Sequence, residues 1–285
     1  MSQTPTGARS LVDVLEAELG RQDLQLPVYP AIAARVQSLA ASGQATADQF
    51  ERLLAHDPAI ASHVLRVANS AFYAGLSSVA TIRAAVLRLG LDQLVSIAVV
   101  CAQKGQFVAR DPQLQRLMAQ LWQHSVAVAF GSRWLAERVG YKTQAGECFM
   151  AGLFHDIGKL LILKVLDDLR RRGEYQHELP ESLVQELLAQ LHGEQGARLI
   201  RQWNLSPLYA EVARTHNLTA IDDSSPVHLM VRLVNNACTK LGLNLYRQGG
   251  LVLAASPEAS GLGLKEVLIA ELEIMLEDGV QTLAI

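Results

Sequence analysis

An all-α fold is what this 285-residue sequence predicts, and three observations carry the prediction. A capping side chain stands directly before proline at Asp57-Pro58, Asp111-Pro112, Ser206-Pro207 and Ser225-Pro226. Such a side chain accepts from the orphan amide protons of a first helical turn. Proline tolerates the first helical position because its missing N–H has no partner there anyway. Behind each pair runs an apolar stripe at helical spacing, and no convincing series of alternating strand segments interrupts them.

Taken in order, the elements are these. Leu11 to Leu19 form a short amphipathic helix, a linker or an interaction segment within residues 1–20. Ile82, Ala85, Val86 and Leu89 mark a helix that Gly90 stops. The most apolar run, Leu94 to Ala102, is far too short to cross roughly 30 Å of hydrocarbon. Asp111-Pro112 then offers a seam between an N-terminal helical bundle and a C-terminal one. The clearest stripe follows it, from Leu114 through Leu117, Met118, Leu121, Trp122, Ser125 and Val126 to Ala129. Arg170-Arg171-Arg172 before Gly173 reads as cations at a helix C-terminus followed by the glycine that ends it, not as a phosphate patch. Gly249-Gly250 through Gly263 reads as a loop, before a last helix from Leu264 to Glu277.

Composition narrows the function classes. Half the residues are hydrophobic, which is the balance of a folded protein with a sizeable core. A formal charge of -3 supplies no general attraction to nucleic acid or to an acidic membrane surface, so no direct nucleic-acid partner is expected. Cys101, Cys148 and Cys238 are few, odd in number and match no zinc-ribbon spacing, which suits reduced thiols. With no signal-peptide pattern and no membrane span, the expected location is the cytoplasm.

The sharpest local feature is Gly152-Leu153-Phe154-His155-Asp156-Ile157-Gly158-Lys159. Adjacent histidine and aspartate offer a nitrogen and an oxygen donor at one spot, a combination that suits Fe, Mn or Zn. The glycines permit close backbone approach, and Lys159 is placed to meet a phosphate. The other polar residues in phase with apolar stripes extend this set. His124 follows Leu117 and Leu121; His192 follows Val184 and Leu188; His216 follows Leu208 and Val212; Asn235 continues Val227 and Val231. Buried polar groups must find partners or cost roughly 1–3 kcal/mol each, so inward residues on four helices favour a common polar site over unrelated coincidences. His56, His63, His177 and His228 lack the pattern and read as structural or exposed.

The order His124, His155-Asp156, then a late helix with Asn235, resembles the HD superfamily of metal-dependent phosphohydrolases. There the order is H…HD…D and the four side chains bind metal. His192 and His216 look like the additional histidines of the HD-GYP phosphodiesterase branch. The N-terminal half narrows the resemblance to the HDOD family, the HD-related output domain of bacterial signalling proteins. Leu26-Pro27-Val28-Tyr29-Pro30, Leu54-Ala55-His56-Asp57-Pro58-Ala59-Ile60, Leu65 through Asn69-Ser70-Ala71-Phe72-Tyr73, and Thr81 to Leu91 carry it. The resemblance covers roughly residues 21–245. It implies an HD-domain-like multi-helix bundle (111–245) with an N-terminal helical subdomain (21–110), followed by a C-terminal loop and helix (246–285).

The resemblance also implies a role in signal transduction, in a family regarded as largely non-enzymatic. The sequence departs from the enzymatic pattern where Asn235 replaces the closing aspartate, because an uncharged amide is a poorer ligand for a hard cation. His216 is followed by Asn217 in place of a second histidine, and Thr219-Ala220-Ile221-Asp222 contains no GYP triplet. The expectation is therefore a regulatory output module acting through a signalling protein partner or a bound nucleotide or cyclic dinucleotide, with no catalytic residue assigned. His124, His155, Asp156, His192, His216 and Asn235 are its candidate ligands for a residual Fe, Mn or Zn ion. The alternative is a metal-dependent phosphohydrolase acting on a nucleotide or cyclic dinucleotide, in which Lys159 steadies a phosphate oxygen.

Overall fold

The computed structural model describes residues 10–283 apart from 71, 72, 74, 76, 219–224 and 246–249. The Ala71-Phe72 pair, Thr219 to Asp222 and Gly249 therefore lie outside the described residues. Those described form α-helices and two short 3-10 turns, with no strand among them. The N-terminal half holds α1 (Leu11–Leu19), α2 (Ala31–Ala41), α3 (Ala47–Ala55), α4 (Pro58–Ala68), α5 (Ile82–Leu89) and α6 (Leu91–Lys104). Then come α7 (Pro112–Arg138), α8 (Ala145–Phe154), α9 (Ile157–Arg171), α10 (Glu181–Gln202), α11 (Pro207–Thr215) and α12 (Pro226–Leu241). The chain continues through α13 (Pro257–Gly261) and α14 (Glu266–Leu283).

The capping signals act as the sequence predicts at three of the four prolines. Asp57 Oδ1 accepts from the Ile60 amide at 3.1 Å, and the Ser206 hydroxyl from Leu208 at 3.3 Å. Asp111 Oδ1 takes the amides of Gln113 and Leu114 at 2.8 and 3.1 Å. Ser225 occupies the same position before α12 but its side chain makes no cap bond, leaving Pro226 to set that helix start through its fixed φ. Gly90 has φ +78°, a conformation that ends α5 and begins α6, and the two helices bend by 119° about it. No single described helix is long and apolar enough to cross a membrane.

The segment expected as a loop, from Gly249 to Gly263, is more ordered than its composition suggests. It holds a 3-10 turn at Leu253–Ala255 and then α13, whose start repeats the Ser-Pro signature: the Ser256 hydroxyl accepts from the Ala259 amide at 3.1 Å, with Pro257 in the first helical position. The last helix is Glu266–Leu283, so it starts later and ends later than Leu264 to Glu277. The three arginines at the end of α9 are held by carboxylates: Arg170 by Asp111 at 3.0 Å, Arg171 by Asp168 at 2.9 Å and Arg172 by Glu18 at 2.8 Å. Gly173 follows with φ +74°.

Two apolar clusters share α7. One gathers side chains from α1 through α11, and the other lies among α7, α8, α12 and α14. Leu121, Val126 and Phe130 face the first cluster; Ala127, Val128 and Leu135 face the second. A helix with cores on both sides is buried around most of its circumference, so the one-sided stripe predicted after Leu114 is only half of its packing. The Leu26–Pro30 segment docks on the same framework. Tyr29 stacks at 5.3 Å from Trp203 and 6.1 Å from Phe154, while the Trp203 indole donates to the Pro27 carbonyl at 2.8 Å. Phe154 immediately precedes His155, so the N-terminal half braces the turn between α8 and α9.

Candidate metal centre

Five of the predicted site residues meet in space. His124 projects from the middle of α7, and His155 and Asp156 form the junction of α8 and α9. His192 comes from α10, and His216 closes α11. Two glycines make the approach possible. A Cβ on Gly152 would lie 2.8 Å from the Val128 carbonyl, so α8 rests directly on α7 one turn beyond His124. A Cβ on Gly158 would lie 1.9 Å from the His192 carbonyl, so the start of α9 touches α10 at the histidine itself.

Each imidazole is oriented by a backbone carbonyl on its Nδ1 side. His124 Nδ1–H donates to Leu243 O at 2.9 Å, His155 Nδ1–H to Gly152 O at 2.6 Å, and His192 Nδ1–H to Leu188 O at 2.6 Å. His216 Nδ1–H is shared between Val212 O and Ala213 O, both at 3.1 Å. A carbonyl can only accept, so in the neutral rings all four Nε2 atoms carry lone pairs, and all four point at Asp156. His124 and His155 Nε2 each lie 3.4 Å from Oδ2; His216 and His192 Nε2 lie 3.3 and 3.6 Å from Oδ1. The Nε2 atoms of His124 and His155 are 3.1 Å apart. Two triads result, His124 with His155 and Asp156, and Asp156 with His192 and His216, each with its ligand atoms within 4.8 Å of one another.

Such a shell consists almost wholly of acceptors, and it demands positive charge. Lys159 Nζ supplies part of it, donating to Asp156 Oδ2 at 2.6 Å from a buried position one turn into α9. The Asn217 amide supplies a donor to His192 Nε2 at 2.9 Å. Asp156 Oδ1 and His216 Nε2 are buried and have no hydrogen-bond partner. Orphaned buried polar atoms are rare in native proteins, and two facing each other at 3.3 Å, both of ligand type, fit a cation between them. The cluster can hold a metal ion.

Electrostatics agree with neutral rings. Burial pushes His192 down to about 4 and His216 down to about 3, against the opposing pull of Asp156, and lowers His124 likewise. These rings are therefore neutral near pH 7, the state that ligates metal. Burial alone would raise the Asp156 carboxyl. The Lys159 ammonium against Oδ2 outweighs it and holds the group well below the ordinary carboxylate range.

Among the described residues the centre is closed. His124, His155 and Asp156 are all 0% exposed. The cavity beside it, lined by Lys159, Leu188, His192, Asn217 and Leu245, has a volume of about 10 Å³, room for one water and no more. A much larger cleft of about 760 Å³ lies elsewhere, among α4, α6 and α7, lined by Ile60, His63, Cys101, Lys104, Phe107 and Trp122.

The remaining sequence-predicted residues divide. Asn235 is buried on α12, but its side chain makes no hydrogen bond to the imidazoles or to Asp156; its carbonyl accepts from Thr239 at 2.9 Å. His228 is also buried, with Nε2 3.3 Å from the Thr215 hydroxyl, a packing contact outside the cluster. Periodicity did not reveal Arg232. From α12 its guanidinium donates to the carbonyls of His216 and Leu218 at 2.8 and 2.6 Å, and to Glu258 at 2.9 Å. It thereby fixes the turn after His216 to α13. A lone arginine inside the apolar run Val227 to Val234 was the available signal.

The HDOD domain, as a family, matches residues 26–218 of this chain. An uncharacterized protein of Treponema pallidum is 22% identical over 240 residues, 82% of this chain, and the chain spans 44% of that relative's length. Among solved structures, an HDOD domain protein of unknown function from Geobacter sulfurreducens superposes with a TM-score of 0.76 at 24% identity, covering 95% of this chain and 96% of that one. A protein from Shewanella amazonensis, provisionally named a metal-dependent phosphohydrolase, gives 0.72 at 21% identity, with 96% and 98% covered. One from Marinobacter aquaeolei, provisionally named a signal transduction protein, gives 0.64 at 23% identity, with 97% and 60% covered. At these identities the solved structures share the fold, and the match over residues 26–218 fixes the lineage: the chain belongs to the HDOD family.

Proposed function

We propose that this protein is a non-catalytic signalling output module, acting through a protein partner, whose His/Asp centre is a cation-binding keystone of the fold. The observation that carries the reading is closure. A phosphohydrolase must bring a phosphate ester against its metal ligands, and the space beside these ligands is about 10 Å³, against roughly 300–1,000 Å³ for a small-molecule pocket. Lys159, the residue that would steady a phosphate in an enzyme, is turned inward onto Asp156. His124, His155, Asp156, His192 and His216 make up the centre from which the ligands are drawn; Asn235, lacking a charge, contributes packing. When bound, Fe, Mn or Zn would neutralise the acceptor shell and lock four helices together. The signal transduction name of the Marinobacter relative supports the same role.

The alternative, hydrolysis of a nucleotide or cyclic dinucleotide, is favoured by the survival of all four imidazoles and Asp156. Turnover separates the two. Protein loaded with Mn, Fe or Zn is expected to cleave neither bis-p-nitrophenyl phosphate nor cyclic dinucleotides faster than Asp156→Ala. Turnover lost on that substitution would overturn the proposal.

A further inference from the structure

The centre is unequal on its two sides. On the Oδ2 side of Asp156 stand His124 and His155, and the buried Lys159 ammonium already lies 2.6 Å from that oxygen. On the Oδ1 side stand His192 and His216, and there both Oδ1 and His216 Nε2 are without partners. We propose that the centre takes a single divalent transition metal, held by Asp156 Oδ1, His192 Nε2 and His216 Nε2, and that Lys159 is the resident cation on the Oδ2 side where a second ion would otherwise sit. This rests on reading the cluster as a cation-binding centre.

Spacing alone does not choose between the sides. Metal–ligand bonds of about 2.0–2.1 Å place neighbouring ligand atoms roughly 3.0–3.4 Å apart. The Oδ2 side shows 3.1 and 3.4 Å, and the Oδ1 side 3.3 and 3.6 Å. Charge makes the choice. An ion within reach of His124, His155 and Oδ2 would sit against the ammonium in a site shielded from water, where like charges repel most strongly. Lys159 follows Asp156 by three residues on the first turn of α9, so its short tether holds the ammonium there.

The Oδ1 side needs only one exchange. His192 Nε2 must give up the Asn217 amide, and Asn217 is exposed, so that amide finds water instead. His216 gives up nothing. Arg232 holds the carbonyls on either side of the His216 turn, which keeps that ligand in place in the absence of an ion.

The test is cobalt(II) loading of the full chain after chelator dialysis, read by elemental analysis, by visible absorption and by counting coordinated imidazoles from X-ray absorption. Wild type is expected to retain about one equivalent with two imidazoles bound. His216→Ala is expected to weaken retention at least tenfold, on the scale of a lost ligand, while His124→Ala keeps the ion. Lys159→Met is expected to raise the stoichiometry toward about two equivalents, with the added ion dependent on His124. Circular dichroism checks that each variant is folded, and the wild-type stoichiometry and imidazole count stand even where a variant is not. Two equivalents in wild type, loss of the ion in folded His124→Ala with retention in His216→Ala, or no cobalt in folded wild type would each overturn the proposal. The last result would leave the non-catalytic reading intact. Ester turnover with one bound ion would overturn that reading and leave the ion count standing.

Discussion

Gly158→Ala tests whether backbone contact, rather than side-chain chemistry, assembles the centre. The added Cβ would lie 1.9 Å from the His192 carbonyl oxygen and 2.6 Å from the Gly196 amide nitrogen, where ordinary contact begins at 3.4 Å. Both obstacles are backbone of α10, so no side chain can swing aside. The two helices must part by about 1.5 Å at this crossing. That movement carries His192 away from Asp156, to which it already stands at 3.6 Å. Overpacking of a rigid interior typically costs about 1–3 kcal/mol and at times more, and the better helix propensity of alanine returns at most about 1 kcal/mol. A net loss of about 2 kcal/mol is expected, which lowers the urea midpoint by about 1 M at an ordinary slope of about 2 kcal/mol per M. Gly146→Ala is the matched control: it lies in α8, is exposed, and its Cβ would meet nothing within 4 Å. There the same change should stabilise by roughly 0.5–1 kcal/mol. If Gly158→Ala unfolds within about 0.5 kcal/mol of wild type, the helices are not in contact as described and the reasoning fails.

Two further outcomes follow from charge. Arg232→Met leaves the Glu258 carboxylate buried and removes the donor to the His216 and Leu218 carbonyls. It should destabilise by about 3–5 kcal/mol in urea titration, and the double variant with Glu258→Leu should recover more than half, whereas equal single and double losses would show the pair to be uncoupled. For pH, burial depresses His192 to about 4 and His216 to about 3, below the value near 6.5 in an unfolded chain, so the folded state favours the neutral rings. Their contribution is complete above pH 6.5 and is lost as pH falls toward 4, where His192 alone accounts for about 3 kcal/mol. Urea midpoints that stay constant from pH 7 to pH 4.5 would refute this.

Much of the fold was legible because helix starts are local chemistry. An acceptor before proline caps its own helix wherever the chain goes, and Asp57, Asp111 and Ser206 do so. The ligand positions were legible for a related reason. His124, His192 and His216 share the phase of apolar residues on their own helices, so each had to face the interior. The same rule turned Asn235 inward, where it is buried but its side chain makes no hydrogen bond to the imidazoles or to Asp156, because phase gives a direction and not a destination. For Lys159 the sequence suggested a phosphate contact, because the lysine stands beside an HD pair. Only the packed centre, with a single carboxylate among four acceptor nitrogens, turns it inward.

The sequence by itself therefore determined the all-helical class, several of the helix starts, the HDOD lineage and the identity of five converging side chains. Tertiary structure alone decided that the two sides of Asp156 differ, that Arg232 and Glu258 tie the C-terminal segment to the turn after His216, and that the five residues of the centre are buried. The physical reason is range. Caps and stripes act within one or two helical turns, whereas which acceptor a buried cation satisfies depends on helices brought together across the whole chain, and that depends on where bare glycine backbone lets them touch.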